Sequence, residues 1–260
     1  MTNDTLLTPS LLNAVAISIV ATSVLLVAAH TSFLALAARR TTLAPRTQFI
    51  APLLAAVLLA GWLAWAVLAV PERMITPEPL ALPGQVLKNP GLLIEMNVFV
   101  LLGIVVIFGS KTMRTLNAAT PPAWLIATQV YRVEGAMFLW PFLAGGALPP
   151  LFALCDGIGD VLTGIAAPFV ALDVARNRPG AHLRAVLWNW FGILDLVVAT
   201  TTAVLSHSTN IARFPVVIIP LFLGPPLGIL THLYSLRNLA ATRASASASR
   251  TAAPALAFQS

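Results

Sequence analysis

Long apolar runs, separated by short polar or proline-rich segments, dominate the chain from beginning to end. Each run holds about 20 or more mostly apolar residues, and an α-helix of that length crosses the ~30 Å hydrocarbon core of a bilayer. The seven predicted spans cover residues 12–38, 48–70, 91–110, 122–144, 149–172, 182–205 and 213–236. The pattern therefore predicts an all-α, polytopic membrane helix bundle within residues 1–237.

Two parts of the chain depart from this pattern. The seventh span contains Gly224-Pro225-Pro226, and because proline removes a backbone donor we expect a kink or a break there. Such a break either offers carbonyl groups to a ligand or is held by packing. Residues 238–260 contain a run of Ala and Ser between scattered arginines, which predicts a disordered cytoplasmic tail.

Composition and charge agree with a membrane protein. Of the 260 residues, 58% are hydrophobic and 9% are charged, against roughly 25% charged in a soluble domain. The net charge of +6 comes mainly from short segments between spans, which is typical of topology signals and not of a nucleic-acid surface. With the N-terminus outside, eleven of the fifteen Lys and Arg residues are cytoplasmic. The sequence therefore predicts an outside N-terminus and a cytoplasmic C-terminus, in a membrane that we expect to be the bacterial cytoplasmic membrane.

Charged and polar residues inside the spans are the most informative feature of the sequence. The candidate substrate- or ion-binding residues are Arg132, Glu134, Asp156, Asp160, Asn189 and Asp195. A charge near a helix centre costs at least ~2.5–3.5 kcal/mol on insertion scales, so such a group needs partners or a water-filled cavity. Helical spacing places polar stripes on spans four, five and six. We expect Arg132 to lie between Asp160 and Asp195 where these spans meet, with Glu134 facing another way.

The balance of charge in this group suggests a function. One guanidinium cannot neutralise several carboxylates, so at least one carboxyl is expected to be protonated or to hold a cation from outside the chain. The leading hypothesis is a transporter of a small solute or ion, in which Asp160 and Asp195 carry a proton or cation beside Arg132.

Two other interpretations stay open. The same cluster could be the lock of a seven-helix sensor or accessory protein, which would act through a protein partner or as a homo-oligomer. The polar groups could also only tie the helices together, with each contact contributing ~0.6 kcal/mol.

Cofactor chemistry has one candidate site. No cofactor is predicted otherwise, but His30 and His232 project from the same half of their spans and could together ligate a metal ion or haem.

A short motif points to an alternative with enzyme chemistry. Gly157-Ile158-Gly159-Asp160 resembles the Gly-x-Gly-Asp element of intramembrane aspartyl proteases, in which an aspartate dyad activates water. In those proteases the second aspartate lies on the preceding helix, which here offers Glu134, so Asp195 would have to serve from the following helix. Arg132 nearby would disfavour a proton shared by two carboxyls. Lipid-modifying chemistry is a further alternative.

Overall fold

The computed structural model describes residues 9–75, 91–145, 148–206 and 219–257, and within these ranges the chain is α-helical without strands. We number nine α-helices in chain order. They are α1 (Pro9–Ala38), α2 (Pro45–Ile75), α3 (Gly91–Gly109), α4 (Lys111–Ala119), α5 (Pro122–Thr128), α6 (Ala136–Gly145), α7 (Pro150–Ala175), α8 (Ala181–Ser206) and α9 (Gly228–Ala257). A 3-10 helical segment, Gln129–Gly135, joins α5 to α6, and a π-helical segment, Ile219–Leu227, leads into α9. The predicted all-α class is confirmed.

Several of these helices are long and apolar enough to cross a membrane. Four single helices are long and apolar enough, and they lie within α1, α2, α7 and α8. The bent pair of α3 and α4 gives a fifth span if the two helices are taken together. Large apolar side chains such as Phe49, Leu58 and Leu143 are exposed on the helix surfaces. This exposure fits a membrane protein, since water would disfavour so much open apolar area.

The fourth predicted span is not one regular helix. The chain winds as α5, then as the tighter 3-10 segment, then as α6. Neighbouring backbones lie very close here, because a Cβ atom built on Gly164 of α7 would come within 2.5 Å of the Val133 nitrogen. Both Arg132 and Glu134 belong to the 3-10 segment. Their side chains thus project in directions that differ from those of a regular α-helix, because a 3-10 helix has three residues per turn.

The third predicted span ends in a sharp bend. The axes of α3 and α4 differ by 81° across Ser110. The Ser110 hydroxyl accepts a hydrogen bond from the Met113 amide and so caps the first turn of α4. This local cap stabilises α4 as a separate short helix.

The seventh predicted span is broken where its prolines predict. Gly224 has a non-helical ψ of −112° between the two turns of the π-helical segment, and Pro225 and Pro226 follow it without backbone donors. Residues 213–218 of this span lie outside the described residues.

The segment predicted as a disordered tail begins as a continuation of a helix. Helix α9 continues through residues 238–257. Asn238 is fully buried and Leu239 is nearly so, because both pack against helices that precede them in the chain. The last residues, 258–260, are outside the described part of the chain.

Helix α7 is the centre of the second half of the fold. It packs against α5, the 3-10 segment, α6 and α8, while α8 also packs against α9. One group of small and apolar side chains fills the junction of α5, α7, α8 and α9, and we call it the apolar layer. Its buried members are Ala123, Ile126, Ala167, Ala171, Ala185, Trp188 and Leu239.

Candidate functional site

Arg132 is the centre of a buried hydrogen-bond network. Its Nε donates to Asp160 Oδ1 over 2.7 Å, and its NH2 group donates to Asp195 and forms an ion pair with Asp160. Its NH1 group donates to the Gly192 carbonyl over 3.1 Å and lies 3.3 Å from His232 Nε2. Four hydrogen bonds therefore engage all three nitrogens of the guanidinium. The predicted position of Arg132 between Asp160 and Asp195 is confirmed.

The network continues through a histidine whose tautomer the contacts define. Asn189 Nδ2 donates to the Ala185 carbonyl over 2.7 Å, so its Oδ1 faces His232 Nδ1 at 3.0 Å. Because an amide oxygen only accepts, His232 Nδ1 carries the proton and Nε2 accepts from Arg132. His232 and Asn189 are both fully buried. Asn189 therefore orients His232 and supports Arg132 indirectly.

Asp156 joins the cluster without a hydrogen bond of its own. It is buried one helical turn before Asp160, on the same face of α7. Among the described residues, none donates a hydrogen bond to its carboxylate. Three buried carboxylates thus accompany one guanidinium, and the cluster carries excess negative charge unless it takes up a proton or a cation.

Glu134 faces away from this network, as the sequence predicts. Its Oε1 accepts hydrogen bonds from Thr22 over 2.5 Å and from Ser18 over 3.4 Å, both on α1. Its Oε2 is buried and has no partner among the described residues. The first span, which by composition is almost purely apolar, therefore contributes to the polar interior.

A small cavity lies between Glu134 and Asp160. Tyr131, Arg132 and Gly135 also line it, together with Leu223 and Gly224 of the broken span. About 10 Å³ is open to the centre of a water molecule, which is the room that about one water needs.

The carbonyl freed by the helix break at this cavity is already occupied. The Tyr131 hydroxyl donates to the Leu223 carbonyl over 2.6 Å. The break is thus held by a side chain of the neighbouring span, which favours packing over an open ligand site at this one carbonyl.

The two histidines proposed as ligands have other partners. His30 Nδ1 donates to the Leu26 carbonyl over 2.8 Å, and its Nε2 lies 3.2 Å from Thr231 Oγ1. Both ring nitrogens of His232 are engaged in the Arg132 network. Within the described ranges, no group of three or more His, Cys, Asp or Glu side chains is placed to hold a metal ion. These contacts give no support to a metal or haem at the pair.

The Gly-x-Gly-Asp motif has a packing explanation. A Cβ on Gly157 would meet Leu139, and one on Gly159 would overlap the Asp195 carboxylate. Arg132 bridges Asp160 and Asp195, whereas a protease dyad shares a proton and activates water between its two carboxyls. The glycines therefore serve close helix approach, and the arrangement differs from that of a dyad.

Sequence reasoning missed the part that His232 has in this site. The sequence indicates His232 only as a metal ligand, although it is a polar residue inside a span, like the others of the cluster. One signal in the sequence could have indicated this part. Asn189 belongs to the polar stripe of span six that also contains Asp195, and a buried amide in that stripe needs a polar partner such as His232.

Comparison with known proteins gives a family but no activity. No curated protein matches the chain, and no solved structure matches it. A family model described as Domain of unknown function (DUF8737) matches residues 89–240, which include every member of the Arg132 network. Since the match covers more than half of the 260 residues, the chain belongs to the DUF8737 family.

Proposed function

We propose that this protein carries protons across the membrane, coupled to a small solute or ion, and that Asp156, Asp160 and Asp195 are the proton carriers. The observation that supports this is the excess of carboxylates over guanidinium in the buried Arg132 cluster. Burial of uncompensated charge is costly, so at least one of these carboxyls holds a proton or a cation at rest. Release of that proton is a basic step of coupled transport.

The surroundings of the cluster support movement of this kind. Arg132 lies on a 3-10 segment, and the adjoining cavity is lined by a broken span. Mid-helix 3-10 turns often mark hinges, and discontinuous helices often form the substrate sites of transporters. Irregular backbone therefore lies on two sides of one buried charge cluster, which is typical of a site that changes conformation during transport.

The topology that we propose has seven crossings. Helices α1, α2, α3, α7 and α8 supply five, and the two interrupted segments, 122–145 and 219 to about 240, supply two more. Helix α4, bent by 81° from α3, would lie along the cytoplasmic surface with Lys111 and Arg114. The distribution of basic residues favours an outside N-terminus and a cytoplasmic C-terminus.

Proton flux in proteoliposomes tests this function. Vesicles loaded with a pH-sensitive dye and a potassium gradient are made inside-negative with valinomycin, without solute and then with amino acids, sugars or carboxylic acids outside. Acidification should exceed that of empty vesicles in at least one of these conditions. The Asp160→Asn variant should lose it.

Asp173→Asn provides the matched control. It makes the same chemical change on the same helix, at a partly exposed carboxylate that pairs with Arg178 and Arg184, and it should transport as the unmodified protein does. Flux that is unchanged in Asp160→Asn would contradict the assigned role of Asp160.

A second candidate is a membrane sensor or accessory protein in which the cluster locks one conformation. All three guanidinium nitrogens of Arg132 are hydrogen-bonded, and the adjoining cavity has room for only about one water. These two observations favour a lock. A sensor would show no proton flux under any of the conditions above, while its thermal stability would still respond to pH, and a protein partner or a second copy would receive the signal.

A further inference from the structure

Three buried side chains beside the Arg132 network have polar atoms without a partner. Gln129 is 1% exposed, Thr163 is 0% exposed and Ser235 is 1% exposed. Neither the amide nitrogen nor the amide oxygen of Gln129 forms a hydrogen bond within the described part of the chain, and the same holds for the two hydroxyls. Four unsatisfied polar atoms therefore lie in the interior of the second half of the fold.

These side chains belong to one level of the bundle. Gln129 is three residues before Arg132, Thr163 is three residues after Asp160, and Ser235 is three residues after His232. Arg132 contacts both Asp160 and His232. The helices alternate in direction, so each of the three offsets leads toward the same end of the bundle.

The two hydroxyls lack the local bond that buried hydroxyls in these helices usually make. Ser23 donates to the Ile19 carbonyl over 2.7 Å, and Thr202 donates to the Val198 carbonyl over 2.9 Å. Thr163 and Ser235 make no such bond back to their own helix. Because most buried polar atoms pair with protein or with ordered water, a partner outside the chain is the expected explanation.

The chemistry and the surroundings of this level define that partner. An amide N–H donates, an amide oxygen accepts, and hydroxyls do both, so a partner that bonds to all of them both donates and accepts hydrogen bonds, as water does. The apolar layer follows one further turn along the helices, with Ile126 and Ala167 three and four residues beyond Gln129 and Thr163. A molecule at this level is enclosed between the Arg132 network and the apolar layer.

We propose that Gln129, Thr163 and Ser235 hold ordered water molecules, which form a buried hydrated layer next to the Arg132 network. Buried waters typically bridge polar groups that lack protein partners. The inference rests on the proposed function and deepens it. A proton that leaves Asp160 toward the apolar layer would pass first to these water molecules. The existence of the water is nevertheless independent of transport.

Radiolytic hydroxyl-radical footprinting tests for the water directly. Trp188 is the reporter, since its indole N–H donates to the Thr163 carbonyl over 3.2 Å and its ring lies 5.0 Å from that of His232. Trp62 is the matched control: it is 8% exposed against 7% for Trp188, and it stacks on Phe99 in an apolar core. Radicals form from bound water, so Trp188 should be oxidised several-fold faster than Trp62.

The Thr163→Val and Ser235→Ala double variant removes two of the proposed water partners. Oxidation of Trp188 should then fall to the rate of Trp62. Equal rates for the two tryptophans in the unmodified protein, or an unchanged Trp188 rate in the double variant, would overturn the proposal. Proton flux does not enter this readout, so the failure of transport and the failure of the hydrated layer are distinguishable.

The Tm of a Thr163→Val variant tests independently whether the Thr163 hydroxyl binds water. If Thr163 binds water, the nearly isosteric Thr163→Val variant loses a satisfied hydrogen bond and its Tm falls by about 2–4 °C. If the hydroxyl is truly without a partner, the same change removes a buried orphan and raises the Tm. Thr202→Val, at a buried hydroxyl that is bonded to its own helix, calibrates the loss of one such bond.

Discussion

The carboxylate of Asp195 lies directly on Gly159, where any Cβ atom would overlap its Oδ1. This contact allows α7 and α8 to approach closely enough for Arg132 to reach Asp160 and Asp195 at once. The glycine thus contributes to the charge cluster although it carries no polar side chain. Close helix approach at small residues is a common basis of packing in membranes.

We therefore expect Gly159→Ala to destabilise the fold. Asp195 would have to leave Arg132 or the two helices would have to separate, and overpacking of this kind costs about 1–3 kcal/mol. Gly61→Ala is the matched control on α2, because nothing lies within 4 Å of the added Cβ. Thermal unfolding in detergent measures both variants. An unchanged Tm for Gly159→Ala would mean that the Asp195 position is not required.

Neutralising Asp156 and neutralising Asp160 should have opposite effects. Asp160 accepts a hydrogen bond from Arg132 Nε and forms an ion pair with its NH2 group, whereas Asp156 accepts no hydrogen bond from the described residues. Asp160→Asn should lower the Tm at neutral and alkaline pH, because it weakens a buried charge pair. Asp156→Asn should leave the Tm unchanged or raise it at neutral and alkaline pH, because it removes excess negative charge.

The pH dependence of the unmodified protein follows from the same balance of charge. If the folded cluster holds a proton that the unfolded chain releases, stability is present at low pH and falls as the pH rises. The slope of Tm against pH should be smaller in Asp156→Asn. A Tm for Asp156→Asn that is lower at every pH would instead make Asp156 a structural partner.

The sequence predicted the charged members of this cluster because polar residues in a span follow the helical repeat. The positions of Asp160 and Asp195 could be inferred from that spacing and from their depth. The 3-10 winding around Arg132 could not, because it depends on how closely Gly164 of α7 approaches the Val133 backbone. The contacts of Glu134 with α1 were also hidden, since single hydroxyl residues in an apolar span carry little signal.

Arg132 should not be replaceable by lysine. An ammonium keeps the charge but has three donors on a flexible stem, so it cannot bond two carboxylates, the Gly192 carbonyl and His232 together. Arg132→Lys should cost up to about 3–5 kcal/mol of stability, as expected when a buried ion-pair network is broken.

Arg184→Lys is the control for that substitution. Arg184 pairs with Asp173, but 48% of its side chain is exposed, and exposed ion pairs contribute only about 0–1 kcal/mol. Denaturant or thermal unfolding of the two variants side by side gives the comparison. Similar losses would show that the Arg132 network contributes no more than a surface pair does.

Asn238 tests whether the chain after Arg237 is a packed helix or the free tail that composition alone suggests. Its side-chain amide donates to the carbonyls of Asn117 and Thr120 at the end of α4. The last carbonyls of any helix lack partners within that helix, so Asn238 caps α4 from α9. Asn238→Leu leaves the Thr120 carbonyl without that donor and should cost about 1–3 kcal/mol.

Thr242→Ala, one turn further along α9, is the control for Asn238→Leu. Its hydroxyl bonds only to carbonyls of its own helix, so thermal unfolding should show little change. If Asn238→Leu were equally harmless, the chain after Arg237 would behave as the tail that its Ala and Ser content predicts. A clear loss of stability in Asn238→Leu alone would show that the bundle depends on residues beyond the seventh predicted span, since the cap that they provide holds α4 in place.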